Sequence, residues 1–197
     1  DCFAAFFLWL TIYAFQRRLW ALGAMAYTWG LGIKMSLLLV LPAVAAVLLH
    51  ARGFSGALSL AWLMAQVQVV LALPFVATNT NGYLARAFEL SRQFQFAWTV
   101  NWRMLGEAAF RSRGFALLLL ALHAATLALF LATRWMRPAQ KPLLRAMVPA
   151  WLRFRSALTP DEEIRASRRV TPDFVLTTVL TANVVGLLFA RSLHYQF

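Results

Sequence analysis

The sequence predicts an all-α, polytopic membrane protein, and three observations support this class. Of its 197 residues, 61% are hydrophobic and only 13% are charged, whereas soluble globular chains are about 45–50% apolar and about 25% charged. The apolar residues are gathered into six runs. Basic segments separate these runs, as is typical of transmembrane helices and their connecting loops.

The six apolar runs are predicted to be the transmembrane helices. They cover residues 2–15, 19–33, 35–49, 56–76, 114–133 and 174–190. The last three reach the length of about 17–25 residues that a span needs, whereas the first three are short. The second and third meet at a breakable hinge, residues 30–34, and Pro42 is expected to kink the third. A re-entrant pair is the alternative for these two runs, but spans agree better with the distribution of basic residues.

The basic residues orient the predicted spans. If all six runs cross the membrane, twelve of the 19 Lys and Arg residues fall on the side of the 134–172 loop, and seven fall on the side of the 77–113 loop. The richer side is expected to be cytosolic, and the poorer side is then expected to be the lumen or the exterior. The net charge of +12 does not indicate a nucleic-acid partner, because the Arg residues lie between apolar runs rather than on one solvated face.

The two long loops differ in composition. Residues 134–172 contain five prolines among basic residues, which predicts an irregular cytosolic connection. Within it, Thr159 and Pro160 precede an acidic run, a pattern typical of the start of a short helix. In the luminal loop, residues 77–113, five side chains share one helical face, which favours an amphipathic helix in the membrane interface. They are Tyr83, Ala87, Leu90, Phe94 and Trp98.

The end of the sixth run contains the strongest candidate site. If its helix continues beyond Ala190, then Arg191, His194 and Tyr195 converge at the membrane border, because they are three and four residues apart. An arginine offers fixed, charged donors that suit a phosphate, and a histidine adds a donor or a proton. The alternative is a snorkelling arginine beside interfacial aromatics, and physical reasoning from the residues alone favours that alternative.

Two other segments contain polar residues beside the membrane. Asn101, Trp102 and Arg103 place a flat aromatic face beside an amide and a cation, which suits a sugar or a lipid phosphate, although an aromatic membrane anchor is the favoured alternative. Lys34 is the only charge between the second and third runs, so it is either functional or a marker of the membrane surface. No spacing of His, Cys, Asp or Glu typical of a metal site occurs, and Cys2 is the only cysteine.

Both ends of the chain are expected to be internal to a longer protein. Asp1 opens directly into an apolar run, and Phe197 follows a polar aromatic cluster. We therefore expect residues 1–197 to be a single transmembrane domain fragment. The carboxylates on its luminal side, Asp1, Glu89 and Glu107, include no convincing general base for a transfer reaction.

Several stretches resemble one known family, the dolichyl-phosphate-mannose-dependent alpha-1,3-mannosyltransferases of asparagine-linked glycosylation. The similarity runs in order over nearly the whole chain and is weakest in residues 134–172. The stretches are Asp1-Cys2, Lys34-Met35, Leu73-Pro74-Phe75, Asn81-Gly82-Tyr83-Leu84, Trp98-Thr99-Val100-Asn101-Trp102-Arg103 and Arg191-Ser192-Leu193-His194-Tyr195-Gln196-Phe197.

The resemblance implies a C-type glycosyltransferase fold in the endoplasmic-reticulum membrane, with the active face in the lumen. Such an enzyme moves mannose from dolichyl phosphate mannose to the five-mannose lipid-linked oligosaccharide, with inversion at the sugar. Its expected partners are these dolichol-linked donor and acceptor molecules and the lipid bilayer, and no cofactor or metal is expected. The catalytic base of this fold class is expected before Asp1, so we expect the fragment to be inactive alone.

The resemblance also implies roles for individual residues. We expect Arg191, His194 and Lys34 to hold the donor phosphate. The expected substrate pocket comprises Tyr195, Gln196, Asn101, Trp102, Arg103 and Asp1. The alternatives are a related dolichol-dependent transferase of different linkage, a transporter and a structural membrane scaffold. A transporter would show facing polar stripes or repeated halves, and only the sixth run carries such a stripe.

Overall fold

The computed structural model describes residues 2–87, 96–137 and 159–191, and these residues form helices and short turns without a strand. Three stretches in this part of the chain are long and apolar enough to cross a membrane, namely Met35–Ala85, Arg113–Trp135 and Pro172–Phe189. The α-helices are α1 (Cys2–Gln16), α2 (Trp20–Ile33), α3 (Leu41–Ala87), α4 (Glu107–Arg111), α5 (Arg113–Phe130), α6 (Pro160–Arg169) and α7 (Pro172–Phe189).

A tight turn joins α1 to α2 as an antiparallel hairpin. The amide of Leu19 donates to Ala14 O at 2.8 Å and that of Arg18 donates to Phe15 O at 3.0 Å. Arg18 has φ 61°, so this is a Schellman motif with arginine in the left-handed position that glycine usually takes. Beyond the turn, Gly23 lies against the Phe15 ring, where a Cβ would be 2.3 Å from the nearest ring carbon. The missing side chain lets the two helices approach closely.

The helix α3 folds back on itself at Gly53. This residue has φ 68° and ψ −176°, a conformation that is essentially restricted to glycine. Leu41 and Met64 line one apolar groove of about 200 Å³, although 23 residues of straight helix would separate them by roughly 35 Å. Residues 41–52 and 54–78 are therefore two arms of a helical hairpin. This agrees with the predicted separation of the third and fourth apolar runs.

The last helix, α7, lies in the middle of the core. Val175, Val179 and Ala182 on its surface are fully buried, together with residues of α1, α2 and the first arm of α3. Near its C-terminal end, Gly186 faces Leu39, whose Cβ would be 2.6 Å from a Cβ added at that glycine. Leu39 belongs to the 3₁₀ helix Met35–Val40, which precedes α3. Close contact through a small residue therefore fixes the end of α7 against the segment that follows α2.

The helix α6 confirms the helix start predicted at Thr159. The Thr159 amide donates to the Glu162 carboxylate at 2.9 Å, and the Thr159 hydroxyl donates to it at 3.0 Å. These hydrogen bonds, first from the backbone and then from the side chain, lower the pKa of Glu162. Glu163 on the adjacent face forms an ion pair with Arg52 of α3. The capping box thus stabilises the start of α6, and the ion pair attaches this helix beside the fold at Gly53.

The structure corrects two predictions about helix extent. The predicted interfacial helix does not continue as an α-helix to Trp98, because Phe96–Trp98 is a 3₁₀ turn. The rest of the predicted interfacial helix, at residues 88–95, lies outside the described residues. The helix of the sixth run also does not continue through Arg191, because Ala190 is extended with φ −63° and ψ 119°.

Candidate functional site

The described helices bring the connecting segments to two opposite ends of the molecule. At one end, His50 Nε2 lies 2.7 Å from Trp135 O, and Arg52 pairs with Glu163 of α6. We call this the α6 end. Because α7 begins beside it and runs away from it, the C-terminus of α7 and Arg191 lie at the opposite end, which we call the Arg191 end.

The C-terminus of α7 is closed by the side chain of Asn101. Its amide nitrogen donates to Leu187 O at 2.8 Å and to Ala190 O at 3.1 Å. In a continuing α-helix the Leu187 carbonyl would accept from the Arg191 amide. Asn101 takes that place and satisfies carbonyls that a helix end leaves unpaired. A residue predicted to shape the pocket therefore contacts α7 directly and explains where this helix ends.

Arg191 lies over an aromatic ring immediately after this cap. Its guanidinium carbon is 5.7 Å from the centroid of the Phe110 ring, within the range of a cation–π interaction. Phe110 is only 2% exposed and meets Phe96 edge-on, with ring centroids 5.2 Å apart. The positive charge also lies at the negative end of the α7 dipole, where a cation is favourable. Arg191 is half-buried rather than extended into solvent.

Lys34 lies at the same end as Arg191. It is the extended residue between α2 and the 3₁₀ helix Met35–Val40, as the predicted hinge requires. The Tyr27 hydroxyl donates to Leu37 O at 2.9 Å and holds this turn, and Leu39 packs against Gly186 near the end of α7. The segment carrying Lys34 thus lies beside the last turns of α7.

The side chains of Trp102 and Arg103 have different surroundings from the Asn101 side chain. The Trp102 ring meets Phe115 of α5 edge-on at 5.8 Å, and its buried indole N–H has no hydrogen-bond partner within the described residues. Arg103 is exposed. The three consecutive residues predicted to shape one pocket therefore face α7, α5 and the surroundings respectively.

Four predicted site residues lie outside the described part of the chain: Asp1, His194, Tyr195 and Gln196. The Glu107 carboxylate at the Arg191 end pairs with Arg111 at 2.7 Å, and both side chains are exposed. Among the described residues, no group of three His, Cys, Asp or Glu side chains is arranged to hold a metal.

Sequence reasoning missed Thr99 and Phe110. The Thr99 hydroxyl is 3.5 Å from Arg191 O, and Phe110 supports the guanidinium. Nothing in the local sequence distinguishes this phenylalanine from the other 15 of the chain. Its role depends on a contact between residues 81 positions apart, which no short-range pattern contains.

Comparisons with known proteins give one consistent result. The family model described as "ALG3 protein" matches residues 1–197. A relative from Neurospora crassa named "Dol-P-Man:Man(5)GlcNAc(2)-PP-Dol alpha-1,3-mannosyltransferase" is 56% identical over 198 residues, which cover 100% of this chain and 45% of the relative. Relatives of the same name from Mus musculus and Homo sapiens are each 40% identical and also match the whole chain, which covers 42% of each. The chain thus spans less than half the length of these relatives. No solved structure matches it.

Proposed function

The chain belongs to the ALG3 protein family, and on this basis we propose that the whole protein is an alpha-1,3-mannosyltransferase. It transfers mannose from dolichyl phosphate mannose to the five-mannose oligosaccharide carried on dolichyl diphosphate. The observation that carries the proposal is the 56% identity, over the full length of this chain, to a relative named for that reaction. Two more distant relatives with the same name support it.

The proposed reaction inverts the anomeric carbon of mannose. The acceptor hydroxyl attacks this carbon while its bond to the donor phosphate oxygen breaks, and the hydroxyl proton passes to a carboxylate base. Dolichyl phosphate leaves with the bonding electron pair, so negative charge grows on the phosphate. We place the base before Asp1, outside this chain.

Within this chain, Arg191 is proposed to stabilise the leaving phosphate. The guanidinium is fixed at a helix end by Phe110, and fixed cationic donors aimed at developing charge lower the reaction barrier. Lys34 at the same end supplies a second cation, and His194 a further donor. Tyr195, Gln196, Trp102, Arg103 and Asp1 remain the proposed lining of the sugar pocket.

The proposed membrane arrangement has six spans of a C-type glycosyltransferase fold. The stretch Met35–Ala85 supplies two of them because it folds back at Gly53. The shorter apolar helices α1 and α2 add two, and α5 and α7 complete the set. The α6 end collects the larger share of basic residues, which supports a cytosolic position for it in the endoplasmic-reticulum membrane and a luminal position for Arg191.

The function is tested with the full-length protein, purified and supplied with dolichyl phosphate mannose and the five-mannose lipid-linked acceptor. We expect a product heavier by one hexose, which an alpha-1,3-specific mannosidase removes. A well-folded sample that transfers no hexose to this acceptor, or forms another linkage, would overturn the proposal.

The phosphate role is tested by Arg191→Glu in the same protein. Removing one charge-stabilising donor typically lowers turnover about 10²- to 10³-fold, and the reversed charge repels phosphate, so we expect transfer to fall at least a hundredfold. Arg113→Glu is the matched control, since it makes the same charge change at an exposed residue on the same side. Equal activity of the two variants would contradict the assignment of Arg191.

A further inference from the structure

The loop between α3 and α5 contacts the end of α7 at two independent points. Asn101 binds the terminal carbonyls of α7, and Phe110 lies under the Arg191 guanidinium. We propose that Asn101 and Phe110 are positioning residues that together hold Arg191 in the orientation required to bind the donor phosphate. This inference rests on the proposed function. It gives both residues a positioning role that the sequence did not indicate.

Arg191 needs external support because α7 does not fix it. The helix ends at Phe189, and Ala190 is extended, so the backbone of Arg191 has left the helical hydrogen-bond ladder. A long side chain on such an end loses rotamer freedom when it binds a ligand, and this loss weakens binding. Contacts that order the side chain beforehand remove part of that cost.

Phe110 is suited to this task because its own ring is fixed. It is fully buried and meets Phe96 edge-on at 5.2 Å. Its helix, α4, begins at Glu107, directly after Gly106, whose φ of 78° and ψ of 161° set the direction of the chain in a conformation that is essentially restricted to glycine. A guanidinium held over a ring face keeps its in-plane N–H donors available for phosphate.

Asn101 is suited to its task because an amide has two N–H donors. Its nitrogen donates to two carbonyls of the last turn of α7, Leu187 O and Ala190 O. An aspartate of nearly the same size has no donor when ionised and would place a negative charge against these carbonyls. The substitution Asn101→Asp therefore removes the cap with little change in volume.

The test measures the donor KM and the acceptor KM of the full-length enzyme. Phe110→Leu should raise the donor KM about 3- to 30-fold, the range that the loss of one cation–π contact corresponds to, and leave the acceptor KM unchanged. Phe110→Tyr, which keeps the ring, should restore the wild-type value. Asn101→Asp should also raise the donor KM. Phe3→Leu and Asn81→Asp are matched controls at exposed positions and should leave both constants unchanged.

A double-mutant cycle separates positioning from general packing. In an Arg191→Gln background there is no cation to hold, so Phe110→Leu should change the donor KM less than about twofold. The same fold-increase in both backgrounds would show that Phe110 only supports packing, which overturns the inference. If Phe110→Leu unfolds, Phe110→Met takes its place in the cycle, since it keeps a large apolar side chain.

The two proposals fail in different ways. A strongly impaired Arg191→Gln enzyme with Phe110 and Asn101 variants like their controls would overturn the positioning role and leave the phosphate role intact. A nearly normal Arg191→Gln enzyme would overturn the phosphate role, and with it the positioning of Arg191 for that purpose.

Discussion

Gln68 and Thr28 form a hydrogen-bonded connection between α2 and α3 inside the apolar region. The Gln68 amide nitrogen donates to Thr28 O at 2.6 Å and to the Thr28 hydroxyl at 2.8 Å. The Thr28 hydroxyl in turn donates to Met64 O at 3.2 Å. A glutamine inside an apolar run is the type of residue that forms such a contact between membrane helices, whereas its partner is not predictable from the sequence. These bonds fix the second arm of α3 against α2.

Replacing Gln68 by leucine should destabilise the protein. Hydrogen bonds between transmembrane helices contribute roughly 0.6 to 1.7 kcal/mol, so we expect Gln68→Leu to lower the free energy of unfolding by about that amount. Gln66→Leu, at an exposed position of the same helix, is the matched control and should have little effect. Unfolding of both variants in mixed micelles would be compared, and equal losses would contradict a specific role for Gln68.

The role of Arg191 was only partly predictable from the sequence. Its charge and its place after the sixth run made it a candidate, and the structure places it half-buried over Phe110. Its expected convergence with His194 and Tyr195 relied on a helix that continues past Ala190, and this helix ends before them. The amide of Asn101 decides that end, and it lies 86 residues away from Leu187 in the chain.

At the scale of elements, Gly53 decides that residues 41–78 form a hairpin. The sequence predicts an apolar helix for each arm. The short interruption between the two runs predicts that they are separate helices. The sequence did not show that a single glycine with φ 68° and ψ −176° makes the reversal. Only a glycine populates this region without strain, because other residues would place a Cβ against the backbone.

Gly53→Ala should therefore destabilise the hairpin. Residues held in this region cost about 1–3 kcal/mol each, and we expect the free energy of unfolding to fall by that amount. Gly114→Ala is the control, because a Cβ there meets no atom within 4 Å and alanine favours helix. The thermal midpoints of the two variants in detergent would be compared. A Gly53→Ala protein as stable as Gly114→Ala would show that the reversal does not need a glycine.

At the scale of the whole molecule, the helices divide the connecting segments between two ends. Thr159, Arg52 and Trp135 belong to segments at the α6 end, while Thr99 and Arg191 lie together at the other. The alternation of runs and the excess of basic residues predict that these two groups of segments lie on opposite sides of a membrane, and this stays a prediction. The grouping itself is predictable because charge and apolar length follow directly from the chain.

The two ends should lie on opposite sides of the membrane. We expect Ile164→Cys, at a side chain that is 52% exposed, to react with a membrane-impermeant maleimide in sealed microsomes. Met104→Cys, at a side chain that is 83% exposed, should react only after the membrane is opened. The measurement uses the full-length protein with its other reactive cysteines replaced by serine. Labelling of both positions in sealed microsomes would contradict the six-span arrangement.

By itself, the sequence determined the all-α membrane class, the places of the fifth and sixth runs, the start of α6 at Thr159 and the family resemblance that the comparisons confirmed. These follow from local composition, spacing and motif order. Only the tertiary structure decided where α7 ends, what supports Arg191 and how residues 41–78 reverse. The first two depend on side chains that come together from distant parts of the chain. The third depends on a backbone conformation that is stable only when the two arms can pack together.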